Sequence, residues 1–350
     1  MKSFEEIAEI WLQSELFGKQ YSYRKGLEKD VEYLIKYFGS RNCEEIKGMD
    51  VDQFIQYETE HVNPNTGKPF SKRLMKAHLS AGLNIYEYAL ENELIDCRNP
   101  FNRKKKKIPK SAPVEERTPI DDEQKEMVLR VYHRAQIAAV IMLYCGLRRG
   151  RGEIIPLRWS DIDLINKKIA VTKSVERVDS NNFRVKGHTK NGKDRYITIP
   201  DNIIPLLKLE KYQSKGNKLI FTQKCGKMHT VGSWQSTWES YQKSLNYEYY
   251  CQQMRKLGRV PKHYNAPTGI PQLLQTFSPH QLRHTYCTML YHAGVDALRA
   301  SKLMGHSNVQ ITLDIYTHLE LKYRTIDISP FNNYVRNDVT NLVIPMTNMA

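Results

Sequence analysis

Apolar residues recur every three or four positions through most of the first hundred residues. The pattern begins with Phe4, Ile7, Ala8, Trp11 and Leu12, and it returns within 27–38, 51–57 and 74–90. This spacing places the apolar side chains on one face of an α-helix. Ser3 followed three residues later by Glu6 has the form of a capping box, which marks a helix start. The sequence therefore predicts four or five short helices before residue 100.

The character of the chain changes in the segment 101–118, where prolines and charges replace the helical pattern. Prolines disfavour helix and like charges resist compaction, so the segment is a predicted linker. Its run of basic residues has two possible interpretations: a solvated tether, or a segment whose cations follow the phosphate backbone of DNA. The candidate backbone contacts are Arg103, Lys104, Lys105, Lys106 and Lys107.

A second domain is predicted to begin at the helix start Thr118-Pro119. Residues 135–144 are apolar on all sides, as in a central core helix. Residues 168–174 and 196–199 are rich in β-branched side chains and predict a small antiparallel sheet with a turn at 190–193. Helical patterning resumes over 233–257, an irregular tract covers 261–279, and helices follow.

Basic residues outnumber acidic ones by 53 to 38, which gives a formal charge of +15. The excess favours a polyanionic partner such as nucleic acid, although a solvated basic surface has the same composition. The six cysteines show no zinc-like spacing, which indicates free thiols in a reducing compartment. The longest apolar stretch, 137–144, is far too short to cross a bilayer. We therefore expect a cytoplasmic protein without a membrane partner.

The candidate chemistry lies in the last quarter of the chain, at His280, Arg283, His306 and Tyr316. Residues three apart on a helix share a face, so His280 and Arg283 would project into one site. An arginine matches two phosphate oxygens, and a histidine moves a proton near neutral pH. A tyrosine beside them can attack a phosphodiester and keep it as an ester. A core tyrosine and a helix-capping histidine are the alternatives for Tyr316 and His306.

These segments resemble the tyrosine recombinases, also called the phage integrase family. The resemblance is carried by Ser278-Pro-His280-Gln-Leu-Arg283-His284-Thr285, Leu303-Met-Gly305-His306 and Thr312-Leu-Asp-Ile-Tyr316-Thr-His318. It implies a mainly α fold, with an N-terminal helical, SAM-like core-binding domain and an α+β catalytic domain that carries a small antiparallel sheet. The implied boundaries are 1–100 for the core-binding domain, 101–118 for the basic linker, 119–325 for the catalytic domain and 326–350 for a tail. The tail would contact a neighbouring protomer or close its own domain.

The resemblance also implies a role for each motif residue. Tyr316 would be the nucleophile and Arg283 the second phosphate-binding arginine. His280 and His306 would complete the phosphate pocket, with His280 accepting the proton of the tyrosine. The reaction needs no cofactor or metal, because each broken phosphodiester is replaced by another ester.

Lys190 lies at the predicted turn, in Thr189-Lys190-Asn-Gly-Lys193. It resembles the family's β-hairpin lysine, and this implies that it protonates the departing 5′ oxygen. A solvated turn lysine is the alternative, and Lys186 and Lys193 are nearby competitors.

The first arginine of the family's pattern is where this chain departs from it. The family places two residues between Gly-Leu-Arg and a glutamate, whereas here Gly146-Leu-Arg148 is separated from Glu153 by four, Arg149-Gly-Arg151-Gly152. In a continuous helix, two added residues would rotate everything downstream by about 200°. Glycines can instead bulge the insert into a loop and keep both flanks in register. We expect Arg148 to fill the catalytic role, with Arg149 or Arg151 as substitutes. Glu153 is expected to be a structural or assembly residue and not an acid catalyst.

The predicted function is that of a site-specific DNA recombinase or integrase that works through a 3′-phosphotyrosine. The Arg-Gly insertion and the tract 245–277 favour a mobile element. Since the helical pattern begins at Phe4, no separate arm-binding domain is expected. The alternatives are a chromosome-dimer-resolving recombinase, a type IB topoisomerase, and a DNA-binding protein whose catalysis the Arg151-Gly152 insertion has impaired. The implied partners are double-stranded DNA and further copies of the chain in a homotetramer on two duplexes, with accessory DNA-bending or directionality proteins left open.

Overall fold

The computed structural model describes residues 2–64, 67–102, 108–109, 118–148, 152–188, 194–214, 216–266, 268–306 and 308–323. The helices are α1 (Phe4–Leu16), α2 (Tyr21–Phe38), α3 (Gly48–Glu60), α4 (Lys72–Glu91), α5 (Asp122–Arg130), α6 (Gln136–Cys145), α7 (Ile204–Gln213), α8 (Val231–Lys256), α9 (Pro279–His292), α10 (Ala297–Met304) and α11 (Gln310–Tyr323). The strands are β1 (Ile162–Asp163), β2 (Lys168–Val171), β3 (Ser174–Arg177), β4 (Phe183–Lys186) and β5 (Arg195–Thr198). The predicted mainly α fold with a small antiparallel sheet is confirmed. None of the helices within the described ranges is long and apolar enough to span a bilayer.

The chain divides into two compact units. The first comprises Met1–Thr118, Ser174–Gly187 and Phe221–Ser240, and the second comprises Pro119–Lys173, His188–Ile220 and Tyr241–Ala350. The domain boundaries that we drew along the sequence remain a prediction.

The first unit is built on α1, α2, α3 and α4, which appear where the apolar periodicity placed them. Ser3 and Glu6 form the predicted capping box, in which the Ser3 amide donates to the Glu6 carboxylate at 2.7 Å. The core of this unit is aromatic, with the Phe4 and Phe38 rings 5.6 Å apart and fully buried. The hairpin of β3 and β4 belongs to the same unit, where the Arg177 guanidinium lies 5.2 Å from the centre of the Tyr21 ring.

The second unit is built around α6, whose residues from Gln136 to Leu143 are all buried. The predicted all-round apolar helix is therefore confirmed. Strands β1, β2 and β5 form an antiparallel sheet in that order, with Ile169 opposite Ile197. Both of these isoleucines are fully buried, which fixes the register because a slip by one residue would turn them to the other face.

An irregular tract leads from α8 to α9, and side chains of α8 hold it in place. The Asn246 carboxamide accepts hydrogen bonds from the amides of Leu273 and Leu274, at 2.9 and 3.0 Å, and donates to the Pro271 carbonyl at 3.0 Å. These bonds satisfy backbone groups that no helix or sheet pairs. They bring the chain in a defined path to the first turn of α9, where the histidine and arginine motif begins.

Candidate active site

Three arginines from different elements of the second unit gather around one carboxylate. Arg148 follows α6, Arg195 begins β5 and Arg283 lies on α9. The carboxylate is that of Glu153, whose side chain is 1% exposed. Three guanidinium charges against one carboxylate leave an excess of positive charge, which suits the binding of an anion.

Arg283 is fixed by the backbone ends of two helices. Its two terminal nitrogens donate to the carbonyls of Gly146 and Met304, and the residue is 4% exposed. These carbonyls lie at the C-terminal ends of α6 and α10, where helices leave acceptors unpaired and carry partial negative charge. Burial lowers the pKa of Arg283 to about 9, with Arg148 and Arg195 adding to this and Glu153 opposing it. The guanidinium therefore stays charged at neutral pH.

Gly146 ends α6 in the left-handed conformation, at φ 63° and ψ 22°. Only glycine adopts this conformation without strain, and it also lacks the side chain that the site excludes. A Cβ atom here would lie 2.3 Å from Cδ1 of Tyr286. The glycine thus lets α6 stop at Cys145 and turns its carbonyl toward Arg283.

Glu153 pairs most closely with Arg195. Nη1 and Nη2 of Arg195 donate to the two Glu153 oxygens, each at 2.7 Å, and the Arg148 amide donates to Glu153 Oε2 at 2.9 Å. Burial alone would raise the pKa of Glu153, but the hydrogen bonds and charges of Arg195, with the charge of Arg283, lower it below its ordinary value. Glu153 is therefore ionised at neutral pH.

The flanks of the inserted residues are joined to each other. The helix before them ends at Cys145, so the insertion does not extend a continuous helix. Besides the bond from the Arg148 amide, the Glu153 amide donates to the Arg148 carbonyl at 3.4 Å. The Arg148 guanidinium donates to the Gly305 carbonyl at 2.7 Å. Arg149 and Arg151 lie outside the described residues.

His306 follows the turn that ends α10 and lies beside the arginines. Its Nδ1 is 2.8 Å from Oγ1 of Thr312, a fully buried residue of α11. Burial first, and then the charges of Arg283, Arg148, Arg195 and His280, lower its pKa to about 4. The imidazole is therefore neutral at neutral pH. His280, in the first turn of α9, is close enough for its charge to act on His306.

Tyr316 lies on α11 in a separate set of contacts. Its hydroxyl donates to the Val295 carbonyl at 3.0 Å, and its ring packs edge-on against Tyr291 with 5.1 Å between centres. Only 8% of the residue is exposed, and burial followed by the nearby Cys287, Asp296 and Tyr286 raises the pKa of the phenol. The phenol is therefore protonated and held by the backbone of its own unit.

The structure thus brings together Arg148, Arg283, His280 and His306 among the predicted site residues, and places the Tyr316 hydroxyl on Val295. Sequence reasoning missed the part that Arg195 plays in the cluster. The signal available was its position immediately before the predicted strand 196–199, in the same segment as Lys190. Lys190, the linker residues Arg103 to Lys107 and the tail 326–350 lie outside the described residues.

Comparison with known proteins places this cluster in a family. The model of the phage integrase family matches residues 122–322. A relative from Caldanaerobacter subterraneus subsp. tengcongensis, named tyrosine recombinase XerC-like, is 27% identical over 289 residues, which cover 75% of this chain and 66% of that protein. The transposase from transposon Tn916 of Enterococcus faecalis is 24% identical over 321 residues, covering 87% of this chain and 73% of that protein.

A solved structure shares the fold. The Tn1549 transposon integrase, determined in complex with transposon right end DNA, superposes with a TM-score of 0.68 at 19% identity, over 96% of this chain and 100% of that one. The match of the family model over more than half of the chain settles the family. The chain belongs to the phage integrase family, the tyrosine recombinases, whose members cut and rejoin DNA.

Proposed function

We propose that this chain is the site-specific recombinase of a mobile element, and that it cuts and rejoins DNA through Tyr316. The observation that carries the proposal is the cluster of Arg148, Arg283 and His306, which holds excess positive charge beside the helix that bears the tyrosine. The relation to the Tn916 transposase supports the mobile element over a recombinase that resolves chromosome dimers.

In the proposed reaction, Arg148 and Arg283 bind the non-bridging oxygens of the scissile phosphate. Neutral His306 donates a hydrogen bond to the same phosphate, and the positive charge stabilises the transition state. The Tyr316 oxygen forms a bond to phosphorus while the bond to the 5′ oxygen breaks. His280 accepts the phenol proton and Lys190 supplies a proton to the departing 5′ oxygen. A 5′ hydroxyl from the partner duplex then reverses these steps, so the number of phosphodiesters is conserved.

Tyr316 has to leave the Val295 carbonyl before it can react. In its present contacts the phenol is buried and its pKa is raised, which disfavours the phenolate that attacks phosphorus. We infer that DNA binding or assembly moves α11 so that the hydroxyl reaches the phosphate. This movement separates DNA binding from cleavage.

The proposal extends to partners and location. We propose double-stranded DNA as substrate and a homotetramer on two duplexes as the active assembly, with accessory DNA-bending proteins as an addition. The run from Arg103 to Lys107 is proposed to follow the DNA backbone and the tail 326–350 to contact a neighbouring protomer. A cytoplasmic location is proposed because the substrate is chromosomal or element DNA.

The test is covalent capture on a nicked duplex that carries the sequences flanking the chain's own gene. The nick lets the short downstream fragment, which carries the free 5′ hydroxyl, diffuse away after cleavage. The protein therefore stays linked to the other fragment and migrates as an adduct on a denaturing gel. We expect the adduct with the wild-type protein, none with Tyr316→Phe, and a full yield with Tyr132→Phe, a matched change at an exposed tyrosine of the same unit.

An adduct that survives Tyr316→Phe would refute the assigned nucleophile. Binding to the duplex without any adduct from the wild-type protein would favour the DNA-binding alternative. Deletion of Arg151-Gly152 would then show whether the insertion is the cause, because a shortened chain that gains cleavage locates the defect there.

A further inference from the structure

We propose that Arg195 is a positioning residue that occupies Glu153 and thereby leaves Arg148 and Arg283 available for the phosphate. The inference rests on the proposed function, because it concerns the same phosphate pocket. It adds a residue to the apparatus that the family motifs in this sequence do not single out.

The donors of Arg195 are directed into the protein. Nη1 and Nη2 bind the two oxygens of Glu153 at 2.7 Å each, and Nε donates to the Leu303 carbonyl at 3.2 Å. The side chain is 11% exposed. Two parallel bonds from a guanidinium to a carboxylate are the strongest geometry for such a pair. Three donor nitrogens of Arg195 are engaged in this way, and its charge is paired directly with Glu153. The two bonds of Arg283 go instead to uncharged carbonyls, so they do not neutralise its charge.

Glu153 has two other cations within reach. Its Oε1 lies 3.8 Å from Arg148 Nε, too far for a hydrogen bond but within the range of an ion pair, and the charge of Arg283 also acts on it. A buried carboxylate that lost Arg195 would have to find another partner, because an unpaired buried charge is costly. The nearest replacements are the two arginines that the phosphate needs. Arg195 therefore satisfies the carboxylate so that it does not compete with the substrate.

Arg195 also fixes the turn that precedes His306. Besides the bond to Leu303, its guanidinium packs under Gly305, where a Cβ atom would lie 2.9 Å from Nη1. The carbonyl of the same Gly305 accepts from Arg148. A change at Arg195 would thus act on Arg148 through Glu153 and through this turn, without any contact between Arg195 and the phosphate.

The experiment compares four proteins in the covalent capture assay: the wild type, Arg195→Met, Glu153→Gln, and the double variant. Partners that orient the ligands of metal sites are typically worth about 10- to 100-fold in activity. By analogy with such positioning partners, we expect Arg195→Met to slow adduct formation by about 10- to 100-fold. The uncleaved duplex should still bind with little change. Glu153→Gln in the Arg195→Met background should restore most of the rate, because an amide cannot hold Arg148 and Arg283 as an ion pair does.

Neutralising the buried partner also restores stability, so the rates are compared at a temperature well below the melting point of every variant. Rescue of the rate among fully folded proteins is then the decisive outcome. Arg195→Met at the wild-type rate would overturn the inference, and so would a double variant no faster than Arg195→Met. If Arg195→Met melts below the assay temperature, Arg195→Lys replaces it. Lysine keeps the charge but cannot form two parallel bonds, and its slower rate should likewise be relieved by Glu153→Gln.

Two controls separate this inference from the proposed function. Arg130→Met removes an exposed arginine of the same unit, 3.5 Å from Glu126 and 3.5 Å from Glu248, and should leave the rate unchanged. If the wild-type protein forms no adduct, the proposed function fails before Arg195 is tested. If the wild type forms the adduct and the Arg195 variants form it equally fast, only the role of Arg195 fails.

Discussion

Replacing Glu153 by alanine should destabilise the second unit strongly. The substitution removes a carboxylate that is 1% exposed and leaves buried guanidinium groups without their counter-charge. Arg195 would lose two hydrogen bonds of 2.7 Å, and the amide of Arg148 would lose one of 2.9 Å. The flanks of the insertion would also lose one of the two bonds that join them.

Removing one member of a buried ion pair typically costs about 3–5 kcal/mol, because the other charge stays buried without compensation. For a unit of this size, 1 kcal/mol corresponds to about 2–4 °C in melting temperature. The expected decrease is therefore about 6–20 °C. Glu126→Ala is the matched control. Glu126 is 58% exposed and 3.5 Å from Arg130, and an exposed pair of this kind contributes about 0–1 kcal/mol.

Calorimetry or circular dichroism across a pH series measures the decrease in melting temperature and its dependence on pH. The folded-state pKa of Glu153 is lowered, so its charge stabilises the fold above the unfolded-state pKa of about 4.3, and this stabilisation is lost as the pH falls through the folded-state value. The difference between wild type and Glu153→Ala should then narrow below about pH 4. A Glu153→Ala protein that melts within 2 °C of the Glu126→Ala control, a difference of about 1 kcal/mol or less, would refute the reasoning.

Two further predictions concern the ends of the helices around the site. Gly146→Ala should destabilise the protein by about 2–4 kcal/mol, since it forces a Cβ atom to 2.3 Å from the Tyr286 ring at a positive φ. The control is Gly26→Ala in α2, where a Cβ atom meets no other atom, and it should stabilise the protein by about 0.5–1 kcal/mol. Equal melting temperatures of the two variants would contradict this prediction. His306 should stay neutral down to about pH 4, which nuclear magnetic resonance of the labelled ring measures directly. Because His306 binds a proton near pH 6.5 in the unfolded chain but not in the folded one, the free energy of unfolding should fall as the pH drops from about 6.5 to 4. His306→Gln should remove that part of the decrease. A ring that titrates at about 6.5 would rule out the buried environment flanked by cations.

Local pattern predicted the helices α1 to α4, α6 and α8 and the strands β2 and β5, because the tendency of a segment to form a helix or a strand depends on neighbours in sequence. The capping box at Ser3, the apolar run that became α6, and the β-branched segments that became β2 and β5 are all signals of this kind. The start and end of α8, Val231 and Lys256, differ from the expected 233 and 257 by two residues and one. The sequence could not predict that β3 and β4 belong to the first unit. Their membership depends on contacts between residues distant in sequence, such as Arg177 with Tyr21.

The same limit explains what was missed at the site. The sequence motifs identified Arg283, His306 and Tyr316 by residue type and spacing. The groups around these residues include backbone carbonyls and an arginine of β5, and a sequence motif does not specify such contacts. Arg195 looks like any strand-edge arginine until Glu153, 42 positions earlier, is seen to bind it. The tyrosine posed a different problem, because its hydroxyl donates to the Val295 carbonyl, whereas the proposed reaction requires it at the phosphate.

The two halves of the proposed site differ in how far they are prepared for the reaction. Arg283 is held by two helix-terminal carbonyls and Arg148 by a third, so the phosphate-binding half needs little rearrangement when DNA arrives, and the cost of ordering these side chains is met in folding. The proposed nucleophile, Tyr316, is placed in the opposite way, since its hydroxyl is buried, protonated and bonded to the Val295 carbonyl. A site arranged like this can bind a duplex without cutting it. In the proposed mechanism, cleavage then depends on the step that frees Tyr316, because the cations that would bind the phosphate are already in place.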